Sequence, residues 1–313
     1  MAVKLREFGS YTVGGSIVKS DRGERRPVRF SRDSGYVHDP RGHYSVGHVY
    51  VQYFIPEDRR PGPPFVLVHG GGMHGSAWET TPDGRPGWVN LLVGRGYEVH
   101  VLDNVERGRS GFAPLHFEGD PIIRTMEETW DLYRLGEAAD FATRRPFANQ
   151  KFPVEALEAL ARSTVPRWLS TTALQIDGLA SVLERLGRAV LVCHSQGGQI
   201  AFDATERHPR RVAGIIGVEP STLARDLARI RDIPVVILQG DFLDRQDRWI
   251  TRRAEWHAFV DSLTATGGRA CLIDTVAEIA PGGSHNLMMD RHNAECLDHA
   301  LHALERLAAA APA

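Results

Sequence analysis

Apolar residues in this chain fall in short runs closed by Gly, Pro, Asp or Ser, and the first clear one begins at His48. The runs read His48-Val-Tyr-Val-Gln-Tyr-Phe-Ile, Phe65-Val-Leu-Val, Tyr97-Glu-Val-His-Val-Leu, Ala189-Val-Leu-Val, Val212-Ala-Gly-Ile-Ile-Gly-Val, Pro234-Val-Val-Ile-Leu and Arg269-Ala-Cys-Leu-Ile. Most lack polar alternation, which predicts strands buried on both faces. Between them, residues 88–95, 173–187, 198–208, 249–264 and 292–309 place apolar side chains at helical spacing. Alternation of this kind predicts an α/β fold with a mostly parallel central sheet flanked by helices.

Two regions break the rhythm. Residues 1–45 carry Gly14-Gly15 between short β-type runs and a charged stretch from Asp21 to Arg29, predicting an N-terminal hairpin and surface excursion. Residues 111–172 contain no convincing strand, but 126–141 and 154–162 have helical patterns and the segment holds Trp130, Tyr133, Phe141, Phe147, Phe152 and Trp168. A structureless loop of that length is improbable in a compact domain. The segment is therefore expected to be a helical cap with its own packing, inserted into a core made of 46–110 and 173–313. The alanine-rich end after Leu307 is expected to fray.

Composition changes this picture little. Hydrophobic content of 42%, charged content of 24% and a formal net charge of −2 are ordinary for a globular chain and give no electrostatic case for nucleic acid. The N-terminus is charged where a signal peptide needs an apolar core, and no run is long enough to span a membrane, so a cytoplasmic protein with no membrane partner is expected. Cys193, Cys271 and Cys296 are too few and too irregularly spaced for a disulfide framework. His292, Cys296 and His299 share a helical face by spacing, but metal sites usually draw on loops as well, and no metal is expected.

The chemistry concentrates at Ala189 to Gly198, Ala-Val-Leu-Val-Cys-His-Ser-Gln-Gly-Gly. A buried strand ending in Ser-x-Gly before a helix fits the tight turn that exposes a nucleophile, here Ser195. The glycine usual two positions before such a serine is Cys193. Upstream, His69-Gly70-Gly71-Gly72 follows a strand, where backbone N–H groups can point into a cleft and hold a developing oxyanion. The amides of Gly71 and Gln196 are the candidate donors, while His69 and His74 read as structural or substrate-facing.

A serine hydroxyl needs a positioned base, and the base needs a group that fixes its tautomer. Of the 14 histidines, His285 is best placed, in the glycine-rich loop Pro281-Gly-Gly-Ser-His-Asn-Leu-Met before the last helix. His194 adjoins the serine and is expected to pack or to orient a loop. Glu219 ends one strand, and Asp241 and Asp244 follow the next. On these residues alone the supporting carboxylate stays open among the three.

With the order Ser, acid, His and the glycine turn assembled, residues 48–307 resemble the α/β-hydrolase superfamily. Asp103-Asn-Val-Glu-Arg-Gly-Arg-Ser is similar to its D-x-x-G-x-G-x-S turn with one glycine replaced. The run Trp78-Glu-Thr-Thr-Pro-Asp-Gly-Arg resembles a narrower group of bacterial serine carboxylesterases whose acid is a glutamate after the sixth sheet strand. That resemblance implies an α/β-hydrolase fold and a triad of Ser195, His285 and Glu219, with Gly71 and Gln196 forming the oxyanion hole. It further implies hydrolysis of a carboxylic ester. The base and oxyanion donors supply what that chemistry requires, so no cofactor is expected, and the aromatics of the inserted segment suggest a small, partly apolar substrate. Lactone, amide or C–C bond hydrolysis and acyl transfer would use the same residues, and a non-catalytic ligand binder could share the fold. A homodimer fits the habits of soluble enzymes.

Overall fold

The computed structural model describes residues 3–113, 117 and 119–310. Residues 1–2 of the charged N-terminus, 114–116 and 118 of the inserted segment, and 311–313 of the alanine-rich end lie outside the described residues. In chain order the strands are β1 (Leu5–Ser20), β2 (Arg26–Arg29), β3 (Gly35–His38), β4 (Gly42–Pro56), β5 (Phe65–Val68), β6 (Val99–Asp103), β7 (Ala189–His194), β8 (Val212–Val218), β9 (Val235–Gln239) and β10 (Ala270–Asp274). The helices are α1 (Trp88–Gly94), α2 (Met126–Leu132), α3 (Leu157–Arg162), α4 (Thr172–Leu186), α5 (Gln196–Arg207), α6 (Leu227–Ile230), α7 (Asp247–Ala265), α8 (Thr275–Glu278) and α9 (Asn293–Ala309).

Eight strands form one sheet in the order β1-β4-β6-β5-β7-β8-β9-β10. Pairing is parallel from β6 through β10 and antiparallel at β1–β4 and β4–β6. Counted within this sheet alone, β8 is its sixth strand, and the crossing of β5 and β6 is its one departure from serial order. The apolar runs build it because side chains alternate between faces. Val190 and Val192 join a buried cluster with Trp88 and Leu92 of α1 and Leu297 and Leu301 of α9. Leu191 and Cys193 face the other way, onto Leu179 and Leu183 of α4, Phe202 of α5 and Trp256 of α7. Among the described residues no helix is long and apolar enough to cross a membrane.

Gly14 and Gly15 do not turn the chain. β1 runs through them and pairs with β4 from Leu5↔Pro56 to Ser20↔Gly42, which makes it the edge strand of the main sheet. Both glycines and Gly47 opposite them have φ of 73° to 75°, so the long ladder bends there instead of closing. The turn lies further on, around the small antiparallel pair of β2 and β3.

The inserted segment also differs from its pattern. α2 stops at Leu132 because Arg134 takes a left-handed φ of 57°, which ends the helix and redirects its side chain. Trp130, Tyr133, Phe152, Leu157 and Leu160 belong to the same buried cluster as α1 and α9. The segment is thus packed on the core and shares its interior.

A close backbone approach lies under the carboxyl end of β5. A Cβ added to Gly197 would stand 2.6 Å from the Val68 carbonyl oxygen and 2.7 Å from that of His69, atoms fixed by the sheet and the turn. Gly197→Ala should therefore destabilise the fold by about 3 kcal/mol, read as a lowered denaturation midpoint. Gly42→Ala has open space around its Cβ and should shift stability by no more than about 1 kcal/mol, in the stabilising direction. Equal effects of the two substitutions would contradict this packing.

Candidate active site

β7 ends in a strained turn. Ser195 has φ 49° and ψ −119°, a conformation that costs a non-glycine residue about 1–3 kcal/mol. Neighbours hold it there. Its N–H donates to the Val218 carbonyl at 3.2 Å, and its carbonyl accepts from Gly198 and Ser221, each at 2.8 Å. Cys193 faces the core, and burial pushes its thiol up to about 12, so it is a small buried hydrophobe. Ser195 itself remains partly exposed at the sheet's carboxyl edge.

His285 comes from the loop between α8 and α9. Its Nδ1 lies 2.6 Å from Glu219 Oε2, and a carboxylate can only accept, so Nδ1 carries the proton and Nε2 is free to act as a base. Burial lowers the imidazole pKa, the Glu219 hydrogen bond raises it, and the charges of Arg134 and Arg124 lower it again. The net shift is downward from 6.5, so the ring is neutral near pH 7.

Glu219 sits at the end of β8 with φ 42° and is fully enclosed. Arg134 grips it with two hydrogen bonds, Nη1 to Oε2 at 2.9 Å and Nη2 to Oε1 at 2.5 Å. The Gly240 N–H adds a third at 2.7 Å. Burial works to raise the Glu219 pKa, but the Arg134 charge and the His285 hydrogen bond overcome it and hold it at about 2. Arg134 in turn donates Nε–H to the Asp241 carbonyl at 2.7 Å. Trp249 packs against both Arg134 and His285, its ring centroid 4.3 Å from the Arg134 guanidinium carbon and 4.7 Å from that of the His285 ring.

The sequence motifs brace these groups. His69 Nε2 accepts the Asn104 N–H at 3.0 Å, so its Nδ1–H donates to the Gly70 carbonyl at 2.9 Å. Burial drives the His69 pKa down to about 3, which makes it a neutral strut beside the glycine turn. Asp103 accepts the Gly75 N–H at 2.6 Å and the Arg109 N–H at 2.8 Å. The residue replacing a glycine in that motif is Glu106, which keeps a left-handed φ of 59°. In the segment from Trp78 to Arg85, Arg85 donates to the carbonyls of Met289 and Asp290, both at 2.9 Å, and so clamps the loop that carries His285. His194 donates Nε2–H to the His285 carbonyl at 3.0 Å, orienting the same loop.

The structure thus brings Glu219 to His285 and leaves the other two carboxylates elsewhere. Asp241 accepts the N–H groups of Phe242 at 2.6 Å and Gly282 at 2.7 Å, tying two loops together. Asp244 is exposed beside Arg245. The amides of Gly71 and Gln196 donate to no backbone carbonyl among the described residues. His292 and Cys296 are buried while His299 is exposed, so the three do not converge, and among the described residues no His, Cys, Asp and Glu group is arranged to hold a metal ion. Sequence reasoning missed Arg134, Arg124, Arg167 and Trp249. No local pattern marks them, because their partners are distant in the chain.

A serine on a positive-φ turn at the edge of this sheet, a buried His–Glu pair and a glycine turn across from them define an α/β hydrolase. The alpha/beta hydrolase family model matches residues 65–294, and the chain belongs to that family. It is similar to a solved structure described as a novel bacterial esterase, with 31% identity and a TM-score of 0.87 over 99% of this chain and 98% of that one. It is also 28% identical over 191 residues to a probable secreted lipase, phiG, of Fungal sp. (strain ATCC 74256), covering 58% of this chain and 51% of that protein. The chain therefore spans about half the length of that curated relative.

The Arg134–Glu219 pair yields a test of stability. Glu219 has its folded pKa depressed below 4.5 to about 2, so its contribution is present above pH 4.5 and is lost as pH falls through the folded value. Arg134→Met should cost about 3–5 kcal/mol at pH 7, because it leaves a buried charge without its partner. The gap from wild type should shrink as the pH drops from 4.5 toward 2, followed by denaturant unfolding at each pH. A gap independent of pH would mean that Arg134 acts by packing alone.

Proposed function

We propose that the protein is a serine carboxylic ester hydrolase working through an acyl-enzyme. The observation that most supports this reading is the 2.6 Å contact between His285 Nδ1 and Glu219, since it sets the tautomer that a serine's general base requires. Ser195 Oγ attacks the ester carbonyl carbon and gives its proton to His285 Nε2. The oxyanion that forms is held by the amides of Gly71 and Gln196, the latter the first N–H of α5, which has no partner inside the helix. Collapse breaks the bond to the alcohol, which leaves with the proton from His285. A water then attacks the acyl-enzyme, gives its proton to Nε2, and the acid departs as Ser195 recovers its own.

The likeness to a bacterial esterase over nearly the whole of both chains supports the same chemistry. The inserted segment supplies one wall of the substrate pocket. Phe112, Phe117 and Trp168 stack with ring centroids 4.8–5.6 Å apart, and Phe112 is 54% exposed, an apolar surface suited to a small, partly apolar ester.

Ser195→Ala should lower kcat for p-nitrophenyl ester hydrolysis by at least about 10⁴-fold, and quenched wild-type reactions should carry the acyl mass on the peptide containing Ser195. Glu219→Gln should reduce kcat/KM by about 10³–10⁴-fold, while the exposed Asp244→Asn stays within about twofold. Substantial activity in Ser195→Ala, or a reversed order for the two carboxylates, would overturn the assignment. The neutral His285 form is the active one and its pKa is lowered, so wild-type kcat/KM should fall toward acid pH with its midpoint below 6.5.

A further inference from the structure

Two guanidinium groups reach the glycine turn, and neither meets a carboxylate among the described residues. The backbones of Ile122 and Arg167 bridge one another, with N–H to carbonyl distances of 2.8 and 3.1 Å, and the Val165 N–H donates to the Gly72 carbonyl at 2.9 Å. This anchors Arg124 and Arg167 beside the turn. Arg124 Nη1 donates to the Gly71 carbonyl at 3.4 Å and to the Tyr133 hydroxyl at 3.1 Å. Arg167 Nη1 donates to Gln196 Oε1 at 3.5 Å and occupies the space that a Cβ on Gly71 would need. These acceptors are neutral, and the contacts to Gly71 and Gln196 are long. Among the described residues Glu128 is the carboxylate whose charge acts on Arg167, and that carboxylate caps α2 through the Thr125 N–H.

Both arginines are partly buried, and burial together with the Arg124 charge lowers the Arg167 pKa. Behind them Arg107 is enclosed and paired through Nε with Glu106 Oε1 at 3.4 Å, its Nη2 has no hydrogen-bond partner among the described residues, and its charge repels that of Arg167. An arginine does not relieve such repulsion by losing its proton. An anion would relieve it, and guanidinium forks fit carboxylate and phosphate oxygens.

We propose that Arg124 and Arg167 form an anion subsite, and that the ester cleaved at Ser195 carries a second group, a carboxylate or phosphate, that docks there. This rests on the ester-hydrolase reading of Ser195. The pair borders both Gly71 and Gln196, so the anion lies within a few bonds of the carbonyl that is attacked, with the apolar remainder on Phe112 and Trp168.

The test compares mono-p-nitrophenyl glutarate with its methyl ester, which has the same acyl chain without the charge. In wild type kcat/KM for the anionic ester should exceed that for the methyl ester by about tenfold or more, and added salt should reduce the ratio. Arg124→Gln and Arg167→Gln should each lower the ratio, and the double substitution should bring it to about one. Competitive inhibition of methyl-ester hydrolysis by free glutarate or by inorganic phosphate supports the subsite and names its preferred group; inhibition by neither counts against it. A wild-type ratio at or below one, or a ratio unmoved by the double substitution, overturns the proposal. An equal loss on both esters also overturns it and makes the pair oxyanion donors.

Calorimetry on Ser195→Ala separates this proposal from the ester reading. Glutarate or phosphate should bind, and Arg124→Gln with Arg167→Gln in that background should weaken binding by about tenfold or more. Binding of that kind without ester turnover in the wild type would sustain the subsite and sink the ester reading. Binding unaffected by the arginines would sink the subsite whatever is hydrolysed.

Discussion

The structure around Ser195 depends on one buried ion pair, Arg134 with Glu219. Both side chains are fully enclosed, and an isolated charge in such a place costs several kcal/mol. The cost is offset because every oxygen of the carboxylate is used. Oε1 takes Arg134 Nη2 and the Gly240 N–H, and Oε2 takes Arg134 Nη1 and His285 Nδ1. Arg134 meanwhile holds the Asp241 carbonyl. One pair therefore ties the residues after α2, the ends of β8 and β9, and the loop of His285 into a single unit.

The pair also sets the electrostatics of the base. Burial holds the His285 pKa down, and with its charge matched by Arg134, Glu219 fixes the imidazole tautomer without driving that pKa above its ordinary value, so the ring stays neutral where it must accept a proton. Strain is concentrated beside it. Ser195 and Glu219 both adopt positive φ at the ends of adjacent strands. The ladder enforces this: each residue's N–H is bonded across to the neighbouring strand, Ser195 to Val218 and Glu219 to Leu238. The sheet's pairing energy thus presents both side chains at the same edge.

Much of this was legible in the sequence because it is local. Buried runs such as Phe65 to Val68 and Val212 to Val218 name their own strands, and Ser195 with Gly197 names its turn because only a residue without a Cβ fits against β5. Glu219 was distinguishable from Asp241 and Asp244 by resemblance alone, since all three follow strands at the same edge and only the fold decides which meets His285. Arg134 was illegible. It lies 85 residues from Glu219, in a stretch whose helical pattern runs on past the point where its left-handed backbone breaks the helix. Gly14-Gly15 misled for a related reason: a glycine pair marks freedom of φ, and whether that freedom makes a turn or a bend depends on the strand it pairs with. Arg124 and Arg167 carry no local signal, since what sets them apart is the lack of a carboxylate partner in three dimensions among the described residues.

The central claim, that Glu219 under Arg134 holds His285 as a neutral base with Nε2 free, is tested most directly by ¹⁵N NMR of histidine-labelled protein through a pH titration. His285 should show a protonated Nδ1 and an unprotonated Nε2 at pH 7, with a midpoint below 6.5. A protonated Nε2 at neutral pH, or a midpoint above 6.5, would contradict it.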